Sequence, residues 1–207
     1  MIYGVKNWND KSIRYDQTKR VIEKFLADLK KNKQVDFWLE TCNVCASCCA
    51  IESVGGEFLF PLPRIANKSI ISYADLLFDY IYTLDTYKVD GICDNELMEN
   101  LMKGINAIST CKSEMIVNRN NKKLVESMIE NLKNKNAIVL SYTTDYKSGH
   151  YVCLTAYDTD KNIFIGYDSW GNNKHCKNNG ILEEYSFKFL EERIRNYRYL
   201  KVANTNG

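Results

Sequence analysis

The sequence predicts a single α+β domain, with helices in its N-terminal part and an antiparallel sheet in its C-terminal part. Up to about residue 135, apolar residues recur at helical spacing, whereas from residue 137 onward short apolar and β-branched runs alternate with turn residues. The 207 residues are 45% hydrophobic, enough for a sizeable core, and include only two prolines. We therefore expect one domain over 1–207, with a mainly helical lobe at 1–135 and a sheet lobe at 136–207.

Charge and apolar content narrow the range of partners. The chain has 28 basic and 26 acidic residues, a net charge of +2, which gives no reason to expect a nucleic acid or a membrane surface as partner. Its apolar runs are too short to span a bilayer, and residues 1–17 lack the layout of a signal peptide. We expect a cytoplasmic protein whose eight cysteines are reduced thiols. The oligomeric state is left open by the sequence.

Five segments of the N-terminal part have the apolar spacing of helices. They are residues 17–33, 41–56, 72–85, 94–108 and 121–134. The second segment differs from the others because it is mostly apolar, with small residues on most faces. It therefore predicts a short buried helix, which ends at Gly55 and Gly56.

Three β-branched or alternating segments predict strands in the C-terminal part. They are residues 137–144, 151–157 and 163–167. The turn-forming sequence at 158–162 predicts that the second and third strands form an antiparallel hairpin. A helix at 185–196, capped by Ser186, and a closing strand at 198–203 complete the predicted order.

The buried helix carries half of the cysteines. Cys42, Cys45, Cys48 and Cys49 fall within eight residues. Cys42 stands at the start of the helix, where free N–H groups and partial positive charge favour a thiolate over a thiol. We expect Cys42 to be a nucleophile. Cys45, one turn further on the same face, is the alternative nucleophile.

A cysteine nucleophile needs an imidazole to hold it as a thiolate and to protonate the leaving group. The chain has only two histidines. His150 stands at the entry of a predicted strand beside Gly149, whereas His175 lies in a polar segment typical of an exposed loop. We therefore expect His150 to be the base, although a purely structural role for this histidine stays open.

The imidazole in turn needs an acceptor on its second nitrogen. Asp168 follows the strand 163–167, the hairpin partner of the strand that begins near His150. A turn centred on residue 159 places residues 150 and 168 opposite each other. We expect Asp168 to orient His150; the alternative is an ordinary turn residue.

The oxyanion of an acyl-transfer reaction needs hydrogen-bond donors. The backbone N–H of Cys42 is one candidate. Gln34 is the nearest upstream residue with an amide side chain, and we take it as the second donor.

The spacing of cysteines at 42, 45, 48 and 49 also permits a metal or iron–sulfur site. Such a site needs further ligands, and the sequence offers only His175 and Cys176, whose adjacency is unfavourable. We therefore expect no metal, and treat the remaining cysteines as small apolar residues.

Three motifs, TCNVCASCCAIESVGG, SGHYVCLTAYD and FIGYDSWGN, occur in this order. Together they resemble the papain-like peptidases that process double-glycine leader peptides, and the free-standing bacterial and phage relatives of those peptidases. The resemblance implies a papain-like fold, with Cys42 as nucleophile, His150 as base, Asp168 as orienting residue and no cofactor. The segment from about 60 to 130 carries none of these motifs, and we interpret it as a helical insert.

The resemblance implies cysteine-dependent hydrolysis of peptide amide bonds. A free-standing relative of this kind suggests a phage-type endopeptidase that acts on peptidoglycan peptides and is released to the cell wall on lysis. Two alternatives stay open: an acyltransferase that uses the same three residues, and a non-catalytic relative that binds a peptide or protein.

Overall fold

The computed structural model describes residues 1–13, 15, 42–59, 77, 95–145, 148–171 and 176–203. The predicted helix at 17–33 lies outside the described residues, as does the predicted helix at 72–85 apart from Leu77.

Seven strands within the described residues form one antiparallel sheet. They are β1 (Ile2–Gly4), β2 (Cys111–Ile116), β3 (Ala137–Thr143), β4 (Gly149–Asp158), β5 (Ile163–Tyr167), β6 (Ile181–Ser186) and β7 (Ile194–Val202). Their order across the sheet is β2-β7-β3-β4-β5-β6, and β1 pairs with the C-terminal end of β4. Together with the helices, this sheet confirms the predicted α+β class.

Four helices accompany the sheet in the described part of the chain. They are α1 (Cys42–Ser53), α2 (Asn95–Ile108), α3 (Asn121–Lys133) and α4 (Phe187–Arg193). The predicted helices at 41–56, 94–108 and 121–134 are thus confirmed within three residues at each end. The predicted cap of α4 is also confirmed, because Ser186 Oγ accepts a hydrogen bond from the backbone N–H of Phe189 at 3.1 Å.

Helices α1 and α3 lie on opposite faces of the sheet. On β7, the Tyr197 hydroxyl lies 2.7 Å from the Ser127 hydroxyl of α3, whereas the guanidinium of Arg198 donates to Ser47 of α1 at 3.3 Å. Successive residues of a strand point to opposite faces, so the two contacts place the two helices. Every residue of α1 except Glu52 is buried, as expected for a helix that is apolar on all sides.

Strand β2 was not predicted and lies within the lobe expected to be mainly helical. Residues 111–116 pair with β7, from Cys111 opposite Val202 to Ile116 opposite Tyr197. This strand forms an edge of the sheet and begins with alternating buried and exposed residues. Its apolar content is low because one face is solvated, which leaves little signal in the sequence. The sheet is thus not confined to residues 136–207.

The C-terminal elements also differ from their predicted bounds. Residues 181–186 form β6, so α4 begins at Phe187 and ends at Arg193 rather than spanning 185–196. The closing strand β7 begins at Ile194 rather than at residue 198. The predicted helix is too long because the apolar spacing of Phe187 and Leu190 continues at Ile194, which is the first residue of β7.

The register of the β4–β5 hairpin is not the predicted one. Asp158 pairs with Ile163, which centres the turn between residues 160 and 161 rather than on 159, and a bulge at Thr155 shifts the ladder once more. The last pair is Cys153 with Tyr167. Direct pairing of residues 150 and 168 was therefore wrong. The error is two residues, so the two side chains still share a face.

Candidate active site

Cys42 is the first residue of α1. It is buried, with 4% of its surface exposed, and it stands where the first N–H groups of the helix have no backbone acceptor within the helix. Farther along α1, Cys49 and Ser53 both face Cys153 of β4. The helix therefore runs along β4 with Cys42 toward the end where that strand begins.

His150 is the second residue of β4 and pairs with Tyr142 of β3. Its ring is buried and meets two aromatic rings edge-on: that of Tyr142 at 5.7 Å between centroids and that of Trp170 at 5.8 Å. These contacts restrict rotation of the imidazole. The strand and the rings together fix where its two nitrogens point.

The imidazole of His150 is bonded to the carboxyl group of Asp168. The distance from His150 Nε2 to Asp168 Oδ1 is 2.7 Å, and the two side chains are 3% and 0% exposed. A buried ion pair of this kind is held by charge as well as by the hydrogen bond. Because Nε2 is used by Asp168, Nδ1 is the nitrogen left for Cys42.

Three further groups hold Asp168 in place. The backbone N–H of Trp170 donates to Oδ1 at 2.8 Å, and the hydroxyl of Tyr185 donates to Oδ2 at 3.2 Å. The backbone N–H of Asp168 donates to the carbonyl oxygen of Gly180 at 2.9 Å. Both carboxylate oxygens therefore have donors, which keeps the buried charge solvated by the protein.

The surroundings of His150 raise its pKa to about 10. Burial alone lowers the pKa of the imidazole, but the charge of Asp168 and its hydrogen bond raise it more, and the side chain of Cys42 adds a hydrogen bond and a further charge interaction in the same direction. The arrangement therefore favours a protonated imidazole bonded to the carboxyl group of Asp168. This is the charge state needed beside a thiolate.

The other cysteines near Cys42 are in a different environment. Burial raises the pKa of Cys49 and Cys153 well above that of a free thiol, and that of Cys111 to about 11. These three side chains are neutral thiols at pH 7, which agrees with the prediction that they act as small apolar residues. Cys45 is also buried, one turn after Cys42.

The structure thus brings Cys42, His150 and Asp168 together. Gln34, the predicted second oxyanion donor, and His175 lie outside the described residues. Within the part of the chain that the structure describes, no three His, Cys, Asp or Glu side chains gather into a metal site. In the same residues, no helix is long and apolar enough to cross a membrane.

Tyr185 is a site residue that the sequence interpretation missed. It was placed at the start of the predicted helix 185–196, whereas it lies in β6 with its hydroxyl on Asp168. Residues 183 and 185 alternate with exposed neighbours in the structure, but the buried position 183 is a glutamate, so the sequence shows no apolar alternation there.

A comparison with protein families gives one match. The model described as "Peptidase_C39 like family" matches residues 72–202, which is more than half of the chain. The matched region contains His150 and Asp168 but begins after Cys42. It also spans residues 72–130, most of the segment interpreted as a helical insert. A search of curated proteins found no match.

Proposed function

This chain belongs to the Peptidase_C39 like family, relatives of the papain-like cysteine peptidases that process bacteriocins, and on that premise we propose that it cleaves peptide amide bonds with Cys42, His150 and Asp168. Cys42 is the nucleophile, His150 the general base and acid, and Asp168 the residue that orients the imidazole. The substrate is a peptide, and the reaction requires no cofactor.

The proposed reaction has two halves. The Cys42 thiolate attacks the carbonyl carbon of the scissile amide, and protonated His150 gives its Nδ1 proton to the leaving amine. Neutral His150 then takes a proton from water, whose oxygen attacks the thioester and releases the acid. The proton ends on His150, and Cys42 leaves as a thiolate, so the starting state is restored.

The protein supports the charges that form along this path. The pair of His150 and Asp168 keeps a proton available beside Cys42, because the carboxylate outweighs the effect of burial on the imidazole. The backbone N–H of Cys42, at the start of α1, is a donor for the oxyanion. Gln34 remains the proposed second donor on sequence grounds.

One observation carries the proposal: a buried imidazole bonded to a carboxylate at 2.7 Å also has a side-chain hydrogen bond to a cysteine that begins a helix. A structural histidine would need only one of these partners. The combination matches the geometry of a nucleophile, its base and the orienting group of that base.

The test is cleavage of a mixed peptide library, with the products identified by mass spectrometry. The wild-type chain is expected to cleave, and Cys42→Ala to be inactive. Cys45→Ala is the matched control, because Cys45 lies on the same helix, is also buried and was the alternative nucleophile. Cleavage that survives in Cys42→Ala but is lost in Cys45→Ala would assign the nucleophile to Cys45 instead.

For the natural substrate we propose peptidoglycan peptides, on the basis of the motifs shared with free-standing phage relatives. Purified cell walls incubated with the wild-type chain should release stem or bridge peptides that Cys42→Ala does not release. If the wild-type chain cleaves the peptide library but releases nothing from cell walls, peptidoglycan is ruled out as the substrate while the peptidase activity stands.

Added amines and thiols distinguish hydrolysis from acyl transfer, because a transferase gives conjugates in place of the free acid. A chain that folds and binds peptides without cleaving them would be the non-catalytic relative.

A further inference from the structure

We propose that Glu183 is a positioning residue for the active site, which it serves by holding the loop 177–180 against Asp168. The proposal rests on the proposed function, because it assigns to Asp168 the task of orienting His150. Glu183 does not touch the reacting atoms. Its effect passes through backbone groups of the loop.

Glu183 is a buried carboxylate whose partners are backbone amides. It is 2% exposed, and three backbone N–H groups donate to it, each at 2.7 Å. Oε2 accepts from Lys177, and Oε1 accepts from Asn178 and Gly180. A buried carboxylate is costly unless it is bonded in this way, so it constrains the three residues that bond to it.

The loop that Glu183 holds is in direct contact with Asp168. The carbonyl oxygen of Gly180 accepts from the backbone N–H of Asp168 at 2.9 Å. Gly180 has φ +83°, and a Cβ on it would lie 2.1 Å from the carbonyl oxygen of Asp168. Asn179 also has a positive φ, of 54°. Glycine adopts a positive φ without steric cost but is otherwise flexible, so bonds such as those of Glu183 are needed to fix the loop.

Strand β6 therefore supports Asp168 in two ways. Glu183 and Tyr185 are two residues apart and point to the same face, while Glu184 between them is exposed. Tyr185 donates to the carboxylate of Asp168 directly, and Glu183 fixes the backbone to which Asp168 is attached. None of the three sequence motifs includes this strand.

The replacement Glu183→Gln keeps the shape of the side chain but places an NH₂ group where an oxygen now accepts. In either orientation of the amide, at least one loop N–H then faces a donor, so the loop must move. The matched control is Glu184→Gln. It removes the same charge from the adjacent exposed residue, whose only described ion pair is with Lys161 at 3.9 Å.

The decisive readout is the NMR titration of the His150 imidazole in the full chain. Among the described residues, the titratable groups against the His150–Asp168 pair are Cys42 from α1, Tyr142 from β3 and Tyr185 from β6, and Cys176 and Glu183 lie beside Tyr185. If Asp168 moves away from the ring, the pKa of His150 falls by about 1–3, because a close opposite charge is worth that much.

We expect this fall in Glu183→Gln, with slower alkylation of Cys42 at pH 7, and no change in Glu184→Gln. A folded Glu183→Gln chain with the wild-type His150 titration would overturn the proposal. Should that variant not fold, Gly180→Ala perturbs the same loop from its other end, and an unchanged titration there would overturn the proposal equally.

These experiments distinguish a failure of the Glu183 proposal from a failure of the proposed peptidase function. A wild-type chain in which His150 stays protonated but no peptide is cleaved would contradict the peptidase while leaving the role of Glu183 measurable by titration. A wild-type chain in which His150 loses its proton near pH 6.5 would contradict the ion pair on which both ideas rest.

Discussion

Nε2 of His150 lies 2.7 Å from Oδ1 of Asp168, although the two residues are not paired in the sheet. The ladder between their strands ends at Cys153 and Tyr167, so Asp168 reaches back across two residues of β4. The direction of the Asp168 side chain is set in the loop that follows β5. There the N–H of Trp170 donates to the Asp168 carboxylate, and the carbonyl oxygen of Gly180 accepts from the Asp168 backbone N–H. The loop after β5 thus decides the geometry of the site as much as the strands do.

Replacing Asp168 by asparagine is expected to neutralise His150 at pH 7. The carboxylate is the largest of the influences that raise the pKa of this imidazole to about 10, and burial acts against it. Without the carboxylate, burial lowers the pKa and only the interaction with Cys42 still raises it, so we expect burial, the largest of the influences, to prevail. NMR titration checks this, with His150→Gln to assign the signal. A proton that stays on His150 at pH 8 in Asp168→Asn would show that another group controls the ring.

The same pair makes the stability of the fold depend on pH. The pKa of His150 is higher in the folded chain than in the unfolded chain, so the stabilisation is complete below about pH 6.5 and is lost as the pH rises toward about 10. The difference in the free energy of unfolding between the wild-type chain and Asp168→Asn should shrink over this range. Urea denaturation at several pH values measures it, and a difference that is constant with pH would contradict the assignment.

Tyr185→Phe removes one donor from Asp168 without changing the shape of the core. The hydroxyl donates to Oδ2 at 3.2 Å in a fully buried setting, and hydrogen bonds to charged groups contribute about 1.5–3 kcal/mol. We expect a loss of stability of this size and slower alkylation of Cys42. Tyr199→Phe serves as a control, because the Tyr199 hydroxyl bonds Glu114 in an exposed pair on β2 and β7. Equal effects of the two replacements would argue against a special role for Tyr185.

Ser186→Ala tests the fold without touching the site. Ser186 caps α4 through the backbone N–H of Phe189 at 3.1 Å, and losing such a cap costs about 1 kcal/mol of stability. Thermal unfolding should show this loss, while the reactivity of Cys42 at 25 °C stays as in the wild-type chain. Loss of Cys42 reactivity in a folded Ser186→Ala chain would mean that α4 contributes to the site.

Local patterns were sufficient for most of the fold. The helices α1 and α3, the cap of α4 and the hairpin of β4 and β5 follow from periodicity, capping residues and turn residues near each other in the chain. Edge strands were harder. Strand β2 pairs with a strand far along the chain, with Cys111 opposite Val202. Its solvated face carries polar residues, which weakens the apolar pattern in the sequence.

The site was predictable to a similar degree. Cys42, His150 and Asp168 could be chosen because only two histidines exist and one begins a strand whose hairpin partner ends in an aspartate. Tyr185 and Glu183 could not, because their positions depend on β6, which follows two left-handed residues, Asn179 and Gly180, and contains a third, Leu182. Nothing in the local sequence ties that strand to Asp168.

The measurement that tests the central claim most directly is the rate of iodoacetamide labelling against pH, with the labelled residue identified by mass spectrometry. A thiolate paired with protonated His150 should make Cys42 the first residue labelled, with a rate that is already high at pH 6, where a free thiol reacts slowly. His150→Ala should slow this labelling. The buried thiols Cys49 and Cys153 should react only after denaturation. Slow labelling scattered over several cysteines, and unaffected by His150→Ala, would contradict the account.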